Sequence, residues 1–322
     1  MGFQKCHVEC ASENNMKLSL YKQGDYKFYC DTCKESVFPF QNVNNFDYDC
    51  FYKSVKPSIS EIKNESYLDL YSVTINKNNC ISIVLTNIRS LNANLYKIEE
   101  FLSVTEGLPD VICVCETWLT NLRPFVGKLY GYDFVNKLSN RNQSGGVAFF
   151  VRACHSYEIV EGVSFERCDI DDLWISIKLE NNKSFVVGNV YRHPSTTFDS
   201  FKENFLKVLD LLNEKNKYFI IGGDININLF NRDQRTFDYL DCISSAGALQ
   251  FVDLPTRHSA DYLSSSLIDH VYSSFDCEKL NVNVVDYDIS DHMPVICEIE
   301  CKKSKNEYCD LRSFQDFSKF EV

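Results

Sequence analysis

The 322-residue sequence has no uninterrupted apolar run that approaches about 18 residues, so no membrane-spanning helix is predicted. Its first residues, MGFQKCHVECASENN, contain no apolar stretch of the kind found in secretory signals. No internal repeat is visible. We therefore expect an intracellular protein, nuclear or cytoplasmic, with no membrane partner.

An excess of basic residues is also missing. The formal net charge is −12, and residues 80–301 carry 19 basic against 31 acidic side chains. Nonspecific binding to nucleic acid depends on Lys and Arg that neutralise phosphates, so this charge counts against tight nonspecific DNA binding. An acidic protein can still act on DNA if its acids surround a cation and its basic side chains line the groove.

What is present is enough apolar material for a substantial core. Apolar residues make up 44% of the chain, with 24 Phe and 18 Tyr, which argues against global disorder. The 15 cysteines are odd in number and scattered, which favours free thiols in a reducing compartment.

Composition and patterning divide the chain into four parts. Residues 1–40 are polar and contain cysteines, and 41–79 are rich in Asn, Ser, Lys and Asp, as in a linker. Residues 80–301 alternate strand-like apolar runs with amphipathic helices, one of them at 198–215, and 302–322 form a polar tail. Many strands with a few helices predict an α/β fold, a layered sandwich.

Polar residues recur where the apolar strands end. Strand ends that face one way form a cleft, which is a common place for an active site. A single Asp at a strand end is usually a turn former or a helix cap, but an ordered set is stronger evidence. The set is Asn87, Glu116, Tyr191, Asp224, Asn226, Asp269, Asp291 and His292.

This set suits metal-assisted phosphodiester hydrolysis, which needs a cation, a prepared water and donors for the developing charge. Mg²⁺ prefers oxygen ligands, and Glu116 is the first candidate, with Asn87 and Asp291 beside it. His292 suits phosphate contact or proton transfer, with Asp269 fixing its tautomer. Asp224 is expected to orient the water, and Asn226 and Tyr191 are expected to donate to the phosphate.

Several motifs resemble the endonuclease/exonuclease/phosphatase superfamily in order and spacing over about residues 80–300. The combination of ETWL, YRHP and SSLIDH is similar to the apurinic-type endonuclease of LINE-type (non-LTR) retrotransposon proteins. The motifs are TNIRSL with Asn87, CETWL with Glu116, YRHP with Tyr191, GGDININ with Asp224 and Asn226, PTR with Thr256 and Arg257, SLIDHVY with Asp269, and SDHMPV at 290–295.

The resemblance implies a DNase I-like, four-layer α/β sandwich of two packed mixed sheets flanked by helices. It also implies dependence on Mg²⁺ or Mn²⁺, and nicking of DNA that leaves a 3′-hydroxyl. It leaves open whether Asp224 or His292 is the general base. Thr256, Arg257 and Arg192 are candidate contacts to the DNA backbone, although an ordinary surface role for the two arginines is equally open.

Four residues near the N-terminus have zinc-ligand spacing: His7, Cys10, Cys30 and Cys33. YCDTCKESVFPF resembles the end of a PHD-type finger whose first Cys pairs are missing, so residues 1–40 are interpreted as a truncated PHD-like finger. One improvised Zn²⁺ site and a remnant without metal are the two alternatives.

The tail after residue 301 contains LRSFQDFSKF, which resembles the linker that precedes the polymerase in such elements. No YADD-like motif is present, so we expect no reverse transcriptase domain in this chain. Two other functions stay open: a phosphoesterase of the same superfamily that acts on inositol phosphates, lipids or RNA, and a non-catalytic fragment that acts as a binding module.

Overall fold

A computed structural model describes residues 67–75, 80–139, 144–166, 169–180, 183–215, 217–231, 233–259, 264–275 and 277–301. The proposed finger, with its possible zinc ligands, lies outside the described residues, and so do the tail at 302–322 and most of the predicted linker. Within the described ranges, no helix is long and apolar enough to cross a membrane.

Strands dominate the described part of the chain, and three α-helices interrupt them. The helices are α1 (Leu91–Val104), α2 (Phe198–Glu214) and α3 (Gln234–Ser245). The strands are β1 (Leu68–Asp69), β2 (Cys80–Asn87), β3 (Val111–Cys115), β4 (Tyr132–Lys137), β5 (Val147–Arg152), β6 (Tyr157–Ile159), β7 (Ile170–Lys178), β8 (Ser184–Arg192), β9 (Tyr218–Asp224), β10 (Leu249–Gln250), β11 (Arg257–His258), β12 (Ser265–Ser266), β13 (Asp269–Ser273), β14 (Leu280–Asp286) and β15 (Val295–Glu300).

These strands build two mixed sheets. The first has the order β1-β14-β15-β2-β3-β5-β4, and the second has the order β10-β13-β9-β8-β7-β6. The pairs β1/β14, β2/β3 and β8/β9 are parallel, and the other pairs are antiparallel. Strands β11 and β12 form a separate two-stranded ribbon.

The alternation of side chains along each strand explains the layers. On β2, Ile81, Ile83 and Leu85 point into the core between the two sheets, whereas Val84 points outward, into the cluster that α1 covers. Helices α2 and α3 cover the outer face of the second sheet, where Phe201 and Phe205 contribute to the core. Two mixed sheets flanked by helices confirm the predicted four-layer α/β sandwich.

One described cysteine, Cys154, departs from the predicted free thiols, because it is disulfide-bonded. Cys113, Cys115 and Cys297 are buried free thiols within strands of the first sheet, where they act as small apolar residues. Cys242 is a partly exposed free thiol, and Cys80 and Cys301 are also partly exposed.

The folded region begins earlier than the sequence predicts. The predicted linker 41–79 includes residues 67–75, whose apolar side chains Leu70, Val73 and Ile75 are buried in the cluster beneath α1. Backbone hydrogen bonds join Ile75 and Val73 to Glu106, and β1 pairs with β14. Because β1 stands at the end of the strand order, this segment forms an edge of the first sheet.

Candidate active site

The strand registers bring the predicted polar residues to one edge of the two sheets. Asn87 ends β2 and pairs with Cys115, the last residue of the parallel strand β3. Glu116 follows directly and therefore lies beside Asn87. In the second sheet, Asp224 ends β9 and pairs with Asp269, which begins the antiparallel strand β13.

His292 reaches the same edge from the loop before β15. Strand β15 runs antiparallel to β2, with Val295 opposite Leu85, so the residues before Val295 lie next to the end of β2. The Ser290 hydroxyl fixes this loop by donating to the Asn87 carbonyl at 2.6 Å and accepting from the His292 N–H at 3.1 Å. The site thus joins the ends of both sheets.

The Asn87 side chain bridges the sheets. Its amide nitrogen donates to Glu116 Oε1 and to Asp224 Oδ2, each at 2.8 Å. Its amide oxygen accepts from the backbone N–H of Arg89 at 3.1 Å. Asn87 is fully buried, so this one residue sets the separation of two carboxylates that would otherwise repel each other.

His292 is held between two carboxylates. Its Nδ1 lies 2.8 Å from Asp269 Oδ2, and its Nε2 lies 3.9 Å from Asp224 Oδ2. Burial works to lower the pKa of His292, but the carboxylate of Asp269, through its charge and its hydrogen bond, and the charge of Asp224 outweigh burial and raise the pKa to about 9. Asp269 thereby directs Nδ1–H toward itself and leaves Nε2 for the cleft.

Asp224 is a buried carboxyl in an acidic setting. Burial, followed by the charge of Asp269, raises its pKa to about 7, although His292 and the hydrogen bond from Asn87 act in the opposite direction. A carboxyl with a pKa near 7 is suited to proton transfer at neutral pH.

Tyr191 and Asn226 lie next to the carboxylates of the site. Burial and the nearby carboxylates of Glu116 and Asp224 raise the pKa of Tyr191 far above its usual range, so its hydroxyl stays protonated as a donor. The Asn226 amide donates to the Arg192 carbonyl at 2.8 Å, and its backbone N–H donates to Asp224 Oδ1 at 3.0 Å. Asn226 therefore holds Asp224 as well as lying close to the cleft.

Arg192 and Thr256, both predicted to contact DNA, are buried, and the prediction is wrong for both residues. Arg192 is 5% exposed, and its guanidinium donates to the carbonyls of Ile225, Asn226 and Thr196. Thr256 is fully buried, and its hydroxyl donates to Asp269 Oδ2 at 2.6 Å. Neither side chain is available to a phosphate: Arg192 supports the loop after β9, and Thr256 supports Asp269.

Asp291 lies between two arginines. Arg257 Nε is 2.8 Å from its Oδ2, and Arg89 Nη1 is 3.0 Å from its Oδ1. Burial works to raise the pKa of Asp291, but the hydrogen bond from Arg257 and the charges of His292 and the arginines outweigh it, so the pKa is lowered. Arg257 keeps a side chain that is 39% exposed, so it can still face a phosphate.

Three supporting residues have contacts that the sequence did not reveal. Trp118 Nε1 donates to Glu116 Oε2 at 3.0 Å. Asn189 is fully buried between the sheets, where its amide donates to the carbonyls of Val114 and Ala148. An Asn in the middle of the apolar strand SFVVGNVY was the available signal, because a buried amide needs partners. Ser290 belongs to the SDH motif, but the sequence does not indicate that its hydroxyl joins Asn87 to His292.

Strained backbone is concentrated around the same edge. In the described ranges, the non-glycine residues with positive φ are Arg89, Ser90, Glu116, Trp118 and Asn226, and all of them follow strands β2, β3 or β9. Such conformations cost about 1–3 kcal/mol each and persist where the surroundings enforce them, as at functional sites.

The donor set fits a hard divalent cation. Asp224, Asp269 and His292 offer ligand atoms that lie within 4.8 Å of one another, and Glu116 adds a half-buried carboxylate next to Asn87. Carboxylate and amide oxygens are the ligands that Mg²⁺ and Mn²⁺ accept. Burial raises the pKa of Asp224 most, and the charge of Asp269 raises it further; a bound cation would offset that charge.

This arrangement defines an α/β-sandwich protein with a hydrolase-type polar site at its strand ends. Residues 78–292 match the model of the endonuclease/exonuclease/phosphatase family, and the chain belongs to that family. No curated protein matches the chain in sequence.

Solved structures share the fold at low sequence identity. The endonuclease domain of TRAS1, a telomere-specific non-LTR retrotransposon, aligns with a TM-score of 0.55 and 17% identity over 69% of this chain and 100% of that domain. The 3′-5′ exonuclease NExo from Neisseria meningitidis gives a TM-score of 0.52 with 18% identity, over 68% of this chain and 100% of its own. The Xenopus laevis APE2 catalytic domain gives 0.50 with 18% identity, over 71% and 95%.

Proposed function

We propose that this protein is a divalent-metal-dependent endonuclease that nicks DNA and leaves a 3′-hydroxyl. The observation that carries the proposal is the convergence of Asn87, Glu116, Asp224, Asp269 and His292 at one edge of the sandwich. The TRAS1 domain, whose fold this chain shares, is an endonuclease from a non-LTR retrotransposon. The ETWL, YRHP and SSLIDH motifs support the same substrate.

Glu116 would hold the cation, which is Mg²⁺ or Mn²⁺ in this proposal. Asn87, predicted as a second ligand, turns its amide nitrogen toward Glu116 and would instead orient that carboxylate. When bound, such a cation polarises the phosphoryl oxygens and offsets the charge of the transition state. Asp291 is not assigned to this first set, because its Oδ2 accepts a hydrogen bond from Arg257 and its Oδ1 lies 3.0 Å from the Arg89 guanidinium. Its role in the proposal is to hold Arg257 next to the phosphate.

The remaining side chains handle the proton and the charge on the phosphate. His292, with Nδ1 committed to Asp269, presents Nε2–H to a phosphoryl oxygen. Asp224, facing that Nε2 and fixed by Asn87, orients the water and takes its proton. The Tyr191 hydroxyl, which stays protonated, donates to the phosphate. The Asn226 amide donates to the Arg192 carbonyl and so fixes the loop after β9 next to Asp224.

Nicking of supercoiled plasmid tests this function. The protein should convert supercoiled plasmid to open circles with Mg²⁺ or Mn²⁺ and not with EDTA, and the nicks should prime a DNA polymerase without prior phosphatase treatment. His292→Gln should lower the rate by at least about 100-fold, the low end for loss of an acid/base group. Unchanged nicking by His292→Gln would reject the site.

The second candidate function is hydrolysis of a phosphoester other than DNA, and the excess of acidic residues between 80 and 301 favours it. Neisseria NExo, whose fold is shared, is a 3′ phosphatase in its complex with a DNA hairpin. Phosphate release from inositol phosphates, or cleavage of RNA tails, faster than plasmid nicking would favour this candidate. Metal-dependent turnover of any of these substrates would reject a purely non-catalytic fragment.

A further inference from the structure

A glycine turn holds the backbone immediately after the proposed metal ligand Glu116. The N–H of Thr117 donates to the Gly146 carbonyl at 3.2 Å, and the N–H of Trp118 donates to the Gly145 carbonyl at 2.9 Å. Glu116 itself has a φ of 52°, a conformation that its surroundings must enforce. The position of the carboxylate therefore depends on this turn.

The turn fits its surroundings closely. Gly145 and Gly146 have φ values of 89° and 82°, which other residues rarely adopt. A Cβ on Gly145 would lie 2.4 Å from Asp171 Oδ2 and 2.7 Å from His193 Cε1. A Cβ on Gly146 would lie 2.5 Å from Thr117 Oγ1. The backbone has been brought into direct contact with a buried Asp and a buried His.

That Asp and His form a hydrogen-bonded pair beneath the turn. Asp171 Oδ2 accepts from the Gly146 N–H at 2.8 Å and lies 3.0 Å from His193 Nε2. Both side chains are 2% exposed. The His193 ring also packs edge-on against Tyr191, with 4.7 Å between ring centroids. One imidazole thus contacts the support of Glu116 on one side and a residue of the site on the other.

We propose that His193 and Asp171 form a positioning pair that sets the place of Glu116 through the Gly145–Gly146 turn, and so sets the affinity of the site for a divalent cation. This inference rests on the proposed function, because it assumes that Glu116 is a metal ligand. Neither residue reaches the reacting atoms. The expected consequence is a change in metal affinity, with little change in the rate once metal is saturating.

The chain contains its own control for a purely structural role. Asp110 and His155 form another buried pair, with 2.7 Å between His155 Nε2 and Asp110 Oδ1. Asp110 immediately precedes β3 and Glu116 immediately follows it, so this pair lies at the opposite end of the strand. Five strand residues separate the two ends by about 17 Å, at ~3.3 Å per residue.

The test substitutes each histidine by Gln and by Asn in the full chain. The amide of Gln reaches the position of Nε2, through which both histidines contact their carboxylates, whereas the amide of Asn stops one methylene short. The first readout is direct binding of Mn²⁺, followed by the free-ion EPR signal. The second is the Mg²⁺ dependence of plasmid nicking, and thermal melting in EDTA reports folding.

His193→Asn should raise the Kd for Mn²⁺ and the Mg²⁺ concentration for half-maximal nicking by about 10-fold or more, as for loss of other residues that orient a metal ligand. His193→Gln should recover most of this affinity. His155→Asn should lower the melting temperature without changing the Kd.

Equal Kd shifts from His193→Asn and His155→Asn, or no shift from either, would overturn the inference while wild-type nicking upheld the proposed function. Wild-type protein that neither binds Mn²⁺ nor nicks DNA would overturn both.

Discussion

His292 Nδ1 lies 2.8 Å from Asp269 Oδ2, while the other ring nitrogen faces Asp224 at 3.9 Å. The imidazole is therefore oriented by one carboxylate and aimed at a second. Because all three side chains are buried, the contacts are stronger than the same contacts would be in water.

The first prediction concerns the orienting carboxylate. Asp269→Asn removes the charge that raises the pKa of His292 and weakens the preference for the Nδ1–H tautomer. We expect kcat for plasmid nicking to fall by at least about 100-fold, with KM for DNA nearly unchanged. Steady-state kinetics across pH check this, and a change confined to KM would contradict it.

The second prediction concerns the stability of the metal-free protein. The pKa of His292 is raised to about 9, so the folded state holds this proton more tightly than the unfolded state, where the pKa is near 6.5. The stabilisation is fully present below about pH 6.5 and is lost as the pH rises through 9. Asp224 acts in the same direction at lower pH. Its pKa is raised to about 7 in the folded state, so the stabilisation it gives at acidic pH is lost as the pH rises toward 7.

Urea unfolding in EDTA measures this effect. The free energy of unfolding of the wild-type protein should fall from pH 6.5 to pH 9.5, and His292→Gln should flatten that dependence. Parallel pH profiles for the two proteins would show that His292 does not carry the raised pKa.

The third prediction separates support from substrate binding at Thr256. Because the buried Thr256 hydroxyl donates to Asp269 Oδ2 and accepts from the Asp269 N–H, Thr256→Val should reduce kcat and lower stability by roughly 1–3 kcal/mol, the usual effect of leaving a buried donor unpaired. Thr256→Ser keeps the hydroxyl and serves as the matched control. An increase in KM alone, with kcat and melting temperature intact, would support direct contact with DNA instead.

The fourth prediction concerns the glycine before Asp224. Gly223 has a φ of 141°, and a Cβ there would lie 2.0 Å from the Val190 carbonyl oxygen. Gly223→Ala should lower stability by at least about 1–3 kcal/mol, as in overpacked cores, and should reduce nicking because Asp224 is adjacent. Gly162→Ala is the control, since its Cβ would meet only Lys215 Nζ at 3.8 Å. Similar melting temperatures for both variants would count against this packing.

The fifth prediction concerns Arg257, which is partly exposed and anchored by Asp291. If it contacts one phosphate, Arg257→Ala should weaken DNA binding and reduce the slope of log K against log salt by about 1. Lys207→Ala, on the surface of α2, removes a charge without either effect. Identical salt slopes for wild-type protein and Arg257→Ala would exclude the phosphate contact.

Much of the site was predictable from the sequence because polar residues interrupt apolar strands. Asn87, Glu116 and Asp224 each follow a buried run, and a strand end is a place where only a specific contact justifies burying such a group. Their meeting depends on strand order, which the sequence pattern does not encode. The family resemblance supplied the expectation that these strands are neighbours.

The errors have physical causes. Residue type does not reveal burial, so the guanidinium of Arg192 was interpreted as a phosphate ligand although backbone carbonyls occupy it. Strand β4 is hard to predict from the sequence because it is an edge strand whose residues are partly buried or exposed, which weakens the apolar alternation. The spacing of the buried residues Leu70, Val73 and Ile75 matches neither a strand period nor a helix period, so the sequence does not indicate that residues 67–75 belong to the fold.

The central claim is that these strand ends form one metal-dependent phosphodiesterase site. Its most direct test is cleavage of a 5′-labelled DNA duplex by the wild-type protein and by Glu116→Gln, each with Mg²⁺ and with EDTA. We predict a labelled fragment that a polymerase extends at once, formed only by the wild-type protein with Mg²⁺. Fragments that form equally in EDTA, or equally with Glu116→Gln, would contradict the claim.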